Sequence, residues 1–177
     1  MNLNRRSFLR HSCSALILLP ASLEATVLLP ADSRSLSFLN LHTGEKLKTV
    51  YWERGYVPEA LKQIDHVLRD HRNGEVHPIS PQLLDTLFAL SSSLNTREPF
   101  EIISGFRSPS TNARLRQEGH AVAEHSLHMD GLAVDIRVAD RALPTLRNAA
   151  LSLKAGGVGY YPTDRFVHVD VGRVRSW

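Results

Sequence analysis

The sequence predicts a single α+β domain over residues 26–177, built as a small antiparallel sheet with flanking helices. Three observations predict it. Three long segments carry apolar residues at helical spacing. Short alternating segments lie before, between and after them. No repeat, low-complexity tract or linker interrupts the chain beyond residue 25. A hydrophobic content of 42% with 22% charged residues is that of a folded soluble domain, which excludes disorder as the default. A chain of 177 residues is long enough for a real core.

The elements follow in order. Thr26 to Val50 reads as a connector with short strands, of which Leu36 to Leu41 partly alternates. His42-Thr43-Gly44-Glu45 is a turn, and Thr49 to Trp52 pairs back as a hairpin. Pro58 opens the first helix, with Ala60, Leu61, Ile64, Val67 and Leu68 on one stripe and Gly74 near its end. Ser80 and Pro81 supply the N-cap and first residue of a second helix, whose apolar face is Leu83, Leu84, Leu87 and Leu90. Phe100 to Ser104 is a strand ending at Gly105, and a helix around Thr111 to Glu118 follows. Leu132 to Val138 is a strand. Arg141 to Lys154 is a long helix with Pro144 near its start. Gly156-Gly157-Val158-Gly159 then leads into two short strands, the last ending with Phe166 to Val171.

The first 25 residues are of a different kind. Arg5-Arg6-Ser7-Phe8-Leu9 sets a twin-arginine pair just before an apolar stretch, Ala15 to Leu19. This is the pattern of a twin-arginine export signal, an address read by a receptor rather than an anchor. The stretch is too short to span a bilayer. Ala25 is an acceptable last residue of the signal, although Leu23 is a poor match two positions earlier. Without these residues, which carry Arg5, Arg6, Arg10 and Glu24, the net charge falls from +3 to +1. The basic balance therefore does not point to nucleic acid. The only cysteine, Cys13, lies in the signal, so the mature chain has no disulfide.

The chemistry concentrates in two places. One is Ser126-Leu127-His128-Met129-Asp130-Gly131-Leu132-Ala133-Val134-Asp135, and the other is Phe166-Val167-His168-Val169-Asp170. In strands, Asp135 faces away from Val134 and Ile136, while His168 and Asp170 share the face opposite Val167 and Val169. Such polar groups among apolar neighbours are costly unless they pair or bind a metal. Gly131 lets the chain turn and bring His128 over Asp135. Two histidines and a carboxylate form a common zinc ligand set that leaves one position for water. Taken singly, each residue has a blander reading as a loop histidine, a paired core carboxylate or a satisfied core histidine. Their joint placement favours the metal. The run Gly156-Gly157-Val158-Gly159 lacks the order of a dinucleotide motif and reads as a tight turn. Tyr160, Tyr161 and Trp177 read as core or cleft-wall residues, and His125 as an exposed loop residue.

Several blocks in order resemble one family. They are Asn40 to Glu45, Ser104-Gly105-Phe106-Arg107-Ser108, Asn112 with Leu115-Arg116, Ser126-x-His128-x-x-Gly131-x-Ala133-x-Asp135, Gly156 to Pro162, Phe166 to Asp170, and Arg175-Ser176-Trp177. The chain resembles the zinc D-alanyl-D-alanine peptidase superfamily, which shares its fold with hedgehog-like domains. Within it the chain is most similar to the branch of twin-arginine-exported murein endopeptidases that cut direct diaminopimelate cross-links. The resemblance implies zinc at His128, Asp135 and His168, Arg107 beside the scissile carbonyl, and Ser126 holding substrate. Asn112 is expected to cap or brace its loop. One departure stands out. Better-known members carry an acidic base three residues before the last histidine, where this chain has Arg165. Asp170 or Asp164 is then the base, or Asp170 instead orients His168.

The expected protein is thus a periplasmic zinc metallopeptidase, exported by the twin-arginine route and acting on peptidoglycan. No nucleic acid, no membrane span in the mature chain and no particular protein partner is indicated. Two alternatives stay open: a D-alanyl-D-alanine carboxypeptidase, and a non-catalytic, zinc-containing cell-wall-binding module.

Overall fold

The sheet starts from a hairpin. β1, Ser33–Asn40, and β2, Lys46–Glu53, pair antiparallel around the turn at residues 41–45. Asn40 holds that turn, its side-chain oxygen accepting from the backbone N–H groups of His42 and Thr43. The computed structural model describes residues 32–120 and 122–177; the twin-arginine segment, Cys13 and Ala25 lie outside them. The expected connector before Val50 is instead an integral part of the sheet, because β1 also pairs with β3, Phe100–Ser104.

Seven strands form one mixed sheet in the order β2-β1-β3-β4-β6-β5-β7. β4 is Ala133–Val138, β5 Gly157–Tyr161, β6 Phe166–Asp170 and β7 Arg175–Ser176. The sheet is larger than expected and not purely antiparallel: β1 with β3 and β5 with β7 run parallel. Both parallel pairs join strands that are distant in sequence or very short, so no local pattern marks them.

Among the described residues four α-helices accompany it: α1, Pro58–Val67; α2, Pro81–Ser93; α3, Pro109–Gln117; and α4, Leu143–Leu153. α2 and α4 cover one face of the sheet. Leu83, Leu84, Leu87, Leu90 and Leu146 are buried there with Val134, Ile136, Val167 and Val169. Burying an aliphatic side chain of this size stabilises by about 1.5–3 kcal/mol, so this face holds the sheet rigid. The opposite face of the central strands is free to carry polar groups.

The end of α1 differs from expectation. α1 stops at Val67, seven residues before Gly74. Beyond it Asp70 closes a tight turn: its Oδ1 accepts from Arg72 N–H, its carbonyl from Gly74 N–H, and its own N–H donates to Glu75. A short acidic side chain that bonds nearby backbone N–H groups competes with helix. Gly74, at φ 80°, closes that turn rather than capping the helix. Ser80 occupies the N-cap of α2, but its carbonyl, not its side chain, accepts from Leu83 and Leu84.

Candidate active site

The site is one register line across four strands. Ser104 of β3 lies opposite Asp135 of β4, Asp135 opposite His168 of β6, and His168 opposite Gly159 of β5. These residues point away from the helix-covered core, as the alternation of β4 and β6 requires. His128 comes from outside the sheet, on a 3₁₀ turn, Leu127–Asp130. Ser126 caps this turn, its Oγ accepting from His128 N–H at 3.4 Å. Gly131 ends it at φ 65°, where a Cβ would come within 2.2 Å of the Pro78 carbonyl oxygen. Only glycine serves there, both for the left-handed backbone and for the close approach.

Three donor atoms converge. His128 Nε2 lies 3.3 Å from Asp135 Oδ1 and 3.2 Å from His168 Nδ1, and His168 Nδ1 lies 2.8 Å from Asp135 Oδ1. Ligands about 2.0–2.1 Å from a tetrahedral centre sit about 3.3–3.4 Å from one another. The trio is close to that spacing. The far side of each ring fixes its tautomer. His128 Nδ1 meets the Gly105 carbonyl at 2.8 Å, so it carries the proton and turns a lone pair inward. His168 Nε2 meets Asp170 Oδ2 at 3.0 Å and donates to it.

Charge balance supports the same reading. Burial raises the Asp135 carboxyl, but His128 and His168 outweigh it and hold it well below the usual carboxylate range. Burial lowers His168, but hydrogen bonds to Asp135 and Asp170 outweigh it and push the ring up to about 8. Without a metal, a single proton on His168 Nδ1 is all that links two inward-facing nitrogens and a carboxylate. A cation in its place would satisfy all three donors.

Asp170 lies behind the His168 ring, not in the cleft. It is 0% exposed. Its Oδ1 accepts from Gly157 N–H and Gly172 N–H, each at 2.9 Å, and Arg175 grips both oxygens at 3.1 and 2.7 Å. With His168 on Oδ2 as well, its acceptor capacity is spent. Of the two roles left open by the sequence, these contacts favour orienting His168. Asp164, the other candidate base, is exposed in the β5–β6 turn, and so is Arg165, at φ 58°. Neither lines the cleft, whose walls are Arg107, Val122, Ala123, Ser126, His128, Asp135, Tyr161, Phe166 and His168.

Arg107 enters this cleft from the loop after β3. It is only 7% exposed, yet its nearest partners are loose: Asn112 Oδ1 and Ser104 Oγ at 3.4 Å, and Asp135 Oδ2 at 3.8 Å. Among the described residues its Nε has no partner. Burial disfavours its charge, and Asp135 opposes that effect. A buried guanidinium with unused donors is costly in the free protein and ready for an oxyanion. Its backbone, by contrast, is firmly held. Phe106 N–H donates to Leu68, Arg107 N–H to His128, and Ser108 N–H and Oγ to Asp70 Oδ2 at 3.0 and 2.9 Å. Asn112 braces the neighbouring loop, donating to the carbonyls of Ala123 and Glu124.

Sequence reasoning missed two contributors. Asp70 anchors the Arg107 loop, and Arg175 anchors Asp170. Asp70 sits in an ordinary-looking turn, and Arg175, though it stands in a motif block five residues after Asp170, carries no sequence sign of that pairing. Tyr161 forms cleft wall, Tyr160 packs partly against the core, and Trp177 lies over His168 with ring centroids 5.3 Å apart.

Comparison with known proteins agrees with this geometry. The family model described as peptidoglycan L,D-endopeptidase MepK matches residues 29–177. The chain belongs to this family. The peptidoglycan L,D-endopeptidase MepK of Escherichia coli (strain K12) is 44% identical over 177 residues, covering 98% of this chain and 97% of the relative. The protein of the same name from Shigella flexneri matches equally, at 44% over 177 residues. The probable peptidoglycan L,D-endopeptidase MepK of Haemophilus influenzae is 41% identical over 162 residues, covering 90% of this chain and 87% of its own. The family is therefore the one that the motif blocks resemble.

Proposed function

We propose that this chain is a zinc-dependent endopeptidase of peptidoglycan that hydrolyses direct diaminopimelate–diaminopimelate cross-links in the periplasm. One observation carries the reading: two inward-facing imidazole nitrogens and a carboxylate meet at ligand spacing beside a buried guanidinium with unused donors. The names of the relatives add the substrate class. Zinc held by His128, Asp135 and His168 supplies Lewis acidity and an activated water at neutral pH. The protein does the rest. Arg107 donates to the carbonyl oxygen of the scissile amide as negative charge develops on it. Ser126, at the cleft wall, positions the substrate strand. Asp170 holds the His168 ring so that Nδ1 faces inward.

Incubating the zinc-loaded protein with purified cross-linked muropeptides tests this. Mass spectrometry should show dimers carrying a direct diaminopimelate bridge converted to monomers. Release of free D-alanine would make the protein a carboxypeptidase. Zinc retention with no product from any muropeptide would make it a binding module.

The role of Asp170 has its own test. Asp170→Asn removes the charge that faces Arg175 and His168. Zinc affinity should fall about 10- to 100-fold, the usual cost of losing a partner that orients a ligand, and cleavage should recover at saturating zinc. Unchanged zinc affinity with abolished cleavage would show that Asp170 is the base after all.

Export through the twin-arginine route rests on Arg5 and Arg6. No helix among the described residues is long and apolar enough to cross a membrane. Arg5→Lys with Arg6→Lys should leave a folded protein in the cytoplasm, because the pair is an address and not part of the fold. Fractionation checks this, and unchanged periplasmic amounts would argue for another route.

A further inference from the structure

We infer that Tyr161 is a catalytic residue, its hydroxyl donating beside Arg107 to the carbonyl oxygen of the scissile amide. The inference rests on the peptidase reading above. Tyr161 belongs to the site by strand parity. It lies two residues beyond Gly159 on β5, and Gly159 is the register partner of His168. Residues two apart on a strand share a face. The phenol therefore stands on the polar face, where it lines the same cleft as Arg107 and the three metal-ligand residues.

The hydroxyl is aimed by its neighbours. Trp177 Nε1 donates to Tyr161 Oη at 2.7 Å. An indole N–H is a donor only, so the phenol oxygen is the acceptor and its own proton points elsewhere. The ring is fixed by stacking on Phe166, with centroids 4.5 Å apart and planes 18° apart. Trp177 is anchored in turn by backbone hydrogen bonds to Val158 and Tyr160. Gly159 makes room for it, since a Cβ there would meet the indole at 2.7 Å. β7 and the residue that follows it thus serve the site twice. Arg175 fixes Asp170 behind His168, and Trp177 fixes the hydroxyl of Tyr161. A neutral donor suits this place, because a second cation beside buried Arg107 would repel it. A phenol adds hydrogen-bonding capacity without adding charge.

The test compares wild type, Tyr161→Phe, Trp177→Phe and the double variant, all zinc-loaded, on one cross-linked muropeptide dimer. Tyr161→Phe keeps the stack on Phe166 and removes only the hydroxyl. Its kcat should fall about 100-fold, as for loss of one oxyanion donor, with KM, zinc content and melting temperature unchanged. Trp177→Phe should lower kcat less. The double variant should be no slower than Tyr161→Phe, because Trp177 acts through that hydroxyl. A wild type active on dimers with Tyr161→Phe within twofold of it would overturn the assignment while leaving the peptidase reading intact. A tenfold rise in KM with kcat unchanged would also overturn it, making Tyr161 a substrate-binding residue only. A zinc-loaded wild type that cleaves no muropeptide would overturn both readings.

Discussion

His168→Ala should leave a protein that no longer retains zinc through dialysis and no longer cleaves cross-linked muropeptides. The size of the effect follows from the ring's position. His168 is bonded on both sides, to Asp135 through Nδ1 and to Asp170 through Nε2. Its removal takes one of the three proposed protein ligands and leaves two buried carboxylates facing a void. Asp170 keeps Arg175 and two backbone N–H groups. Asp135 keeps only His128 and the more distant Arg107. An uncompensated buried charge commonly costs about 3–5 kcal/mol, so the melting temperature should drop as well. Metal analysis and circular dichroism on the same sample separate the two effects. A folded His168→Ala protein with wild-type zinc stoichiometry would sink the ligand assignment. His128→Ala is the companion variant. It should lose zinc too but with a smaller stability loss, because it leaves the bonds of His168 to both carboxylates in place.

How far the sequence reveals this site depends on the range of each interaction. The alternation of β4 and β6 already places Asp135, His168 and Asp170 on one face, because strand parity is a local property. That parity does not tell on which side of the His168 ring Asp170 lies. The answer comes from Arg175, which the parallel pairing of β7 with β5 sets beside Asp170, together with the N–H groups of Gly157 and Gly172. A two-residue strand such as Arg175–Ser176 leaves no periodic signal to read. The short 3₁₀ turn that carries His128 is equally silent, although its Gly131 is not. Helices with wide apolar stripes, α2 and α4, are legible because burial repeats along them. The end of α1 is less so, because the Asp70 turn that stops it is local but its anchoring of Ser108, 38 residues away, is not.

Arg107→Ala should lower turnover by about two to three orders of magnitude while zinc content stays unchanged. On the proposed reading the contact is of the oxyanion type, where loss of one donor costs about 2.7–4 kcal/mol in the transition state. The expected lack of harm to the fold follows from the geometry of the free protein. All the side-chain bonds of Arg107 are long, at 3.4 Å, and its Nε bonds to nothing. Its loop is held by Asp70 and by backbone bonds to Leu68 and His128, which the substitution leaves intact. Removing a poorly satisfied buried charge also relieves a desolvation cost, so stability should hold or rise slightly. The split between kcat and KM identifies the role. A donor used only as charge develops lowers kcat and kcat/KM together, whereas one that grips the ground-state substrate raises KM. Arg107→Lys adds a second check. It keeps the charge but not the planar fork, and should recover only part of the activity. Near-normal turnover in Arg107→Ala would show that the guanidinium is held in the cleft for a purpose other than the oxyanion.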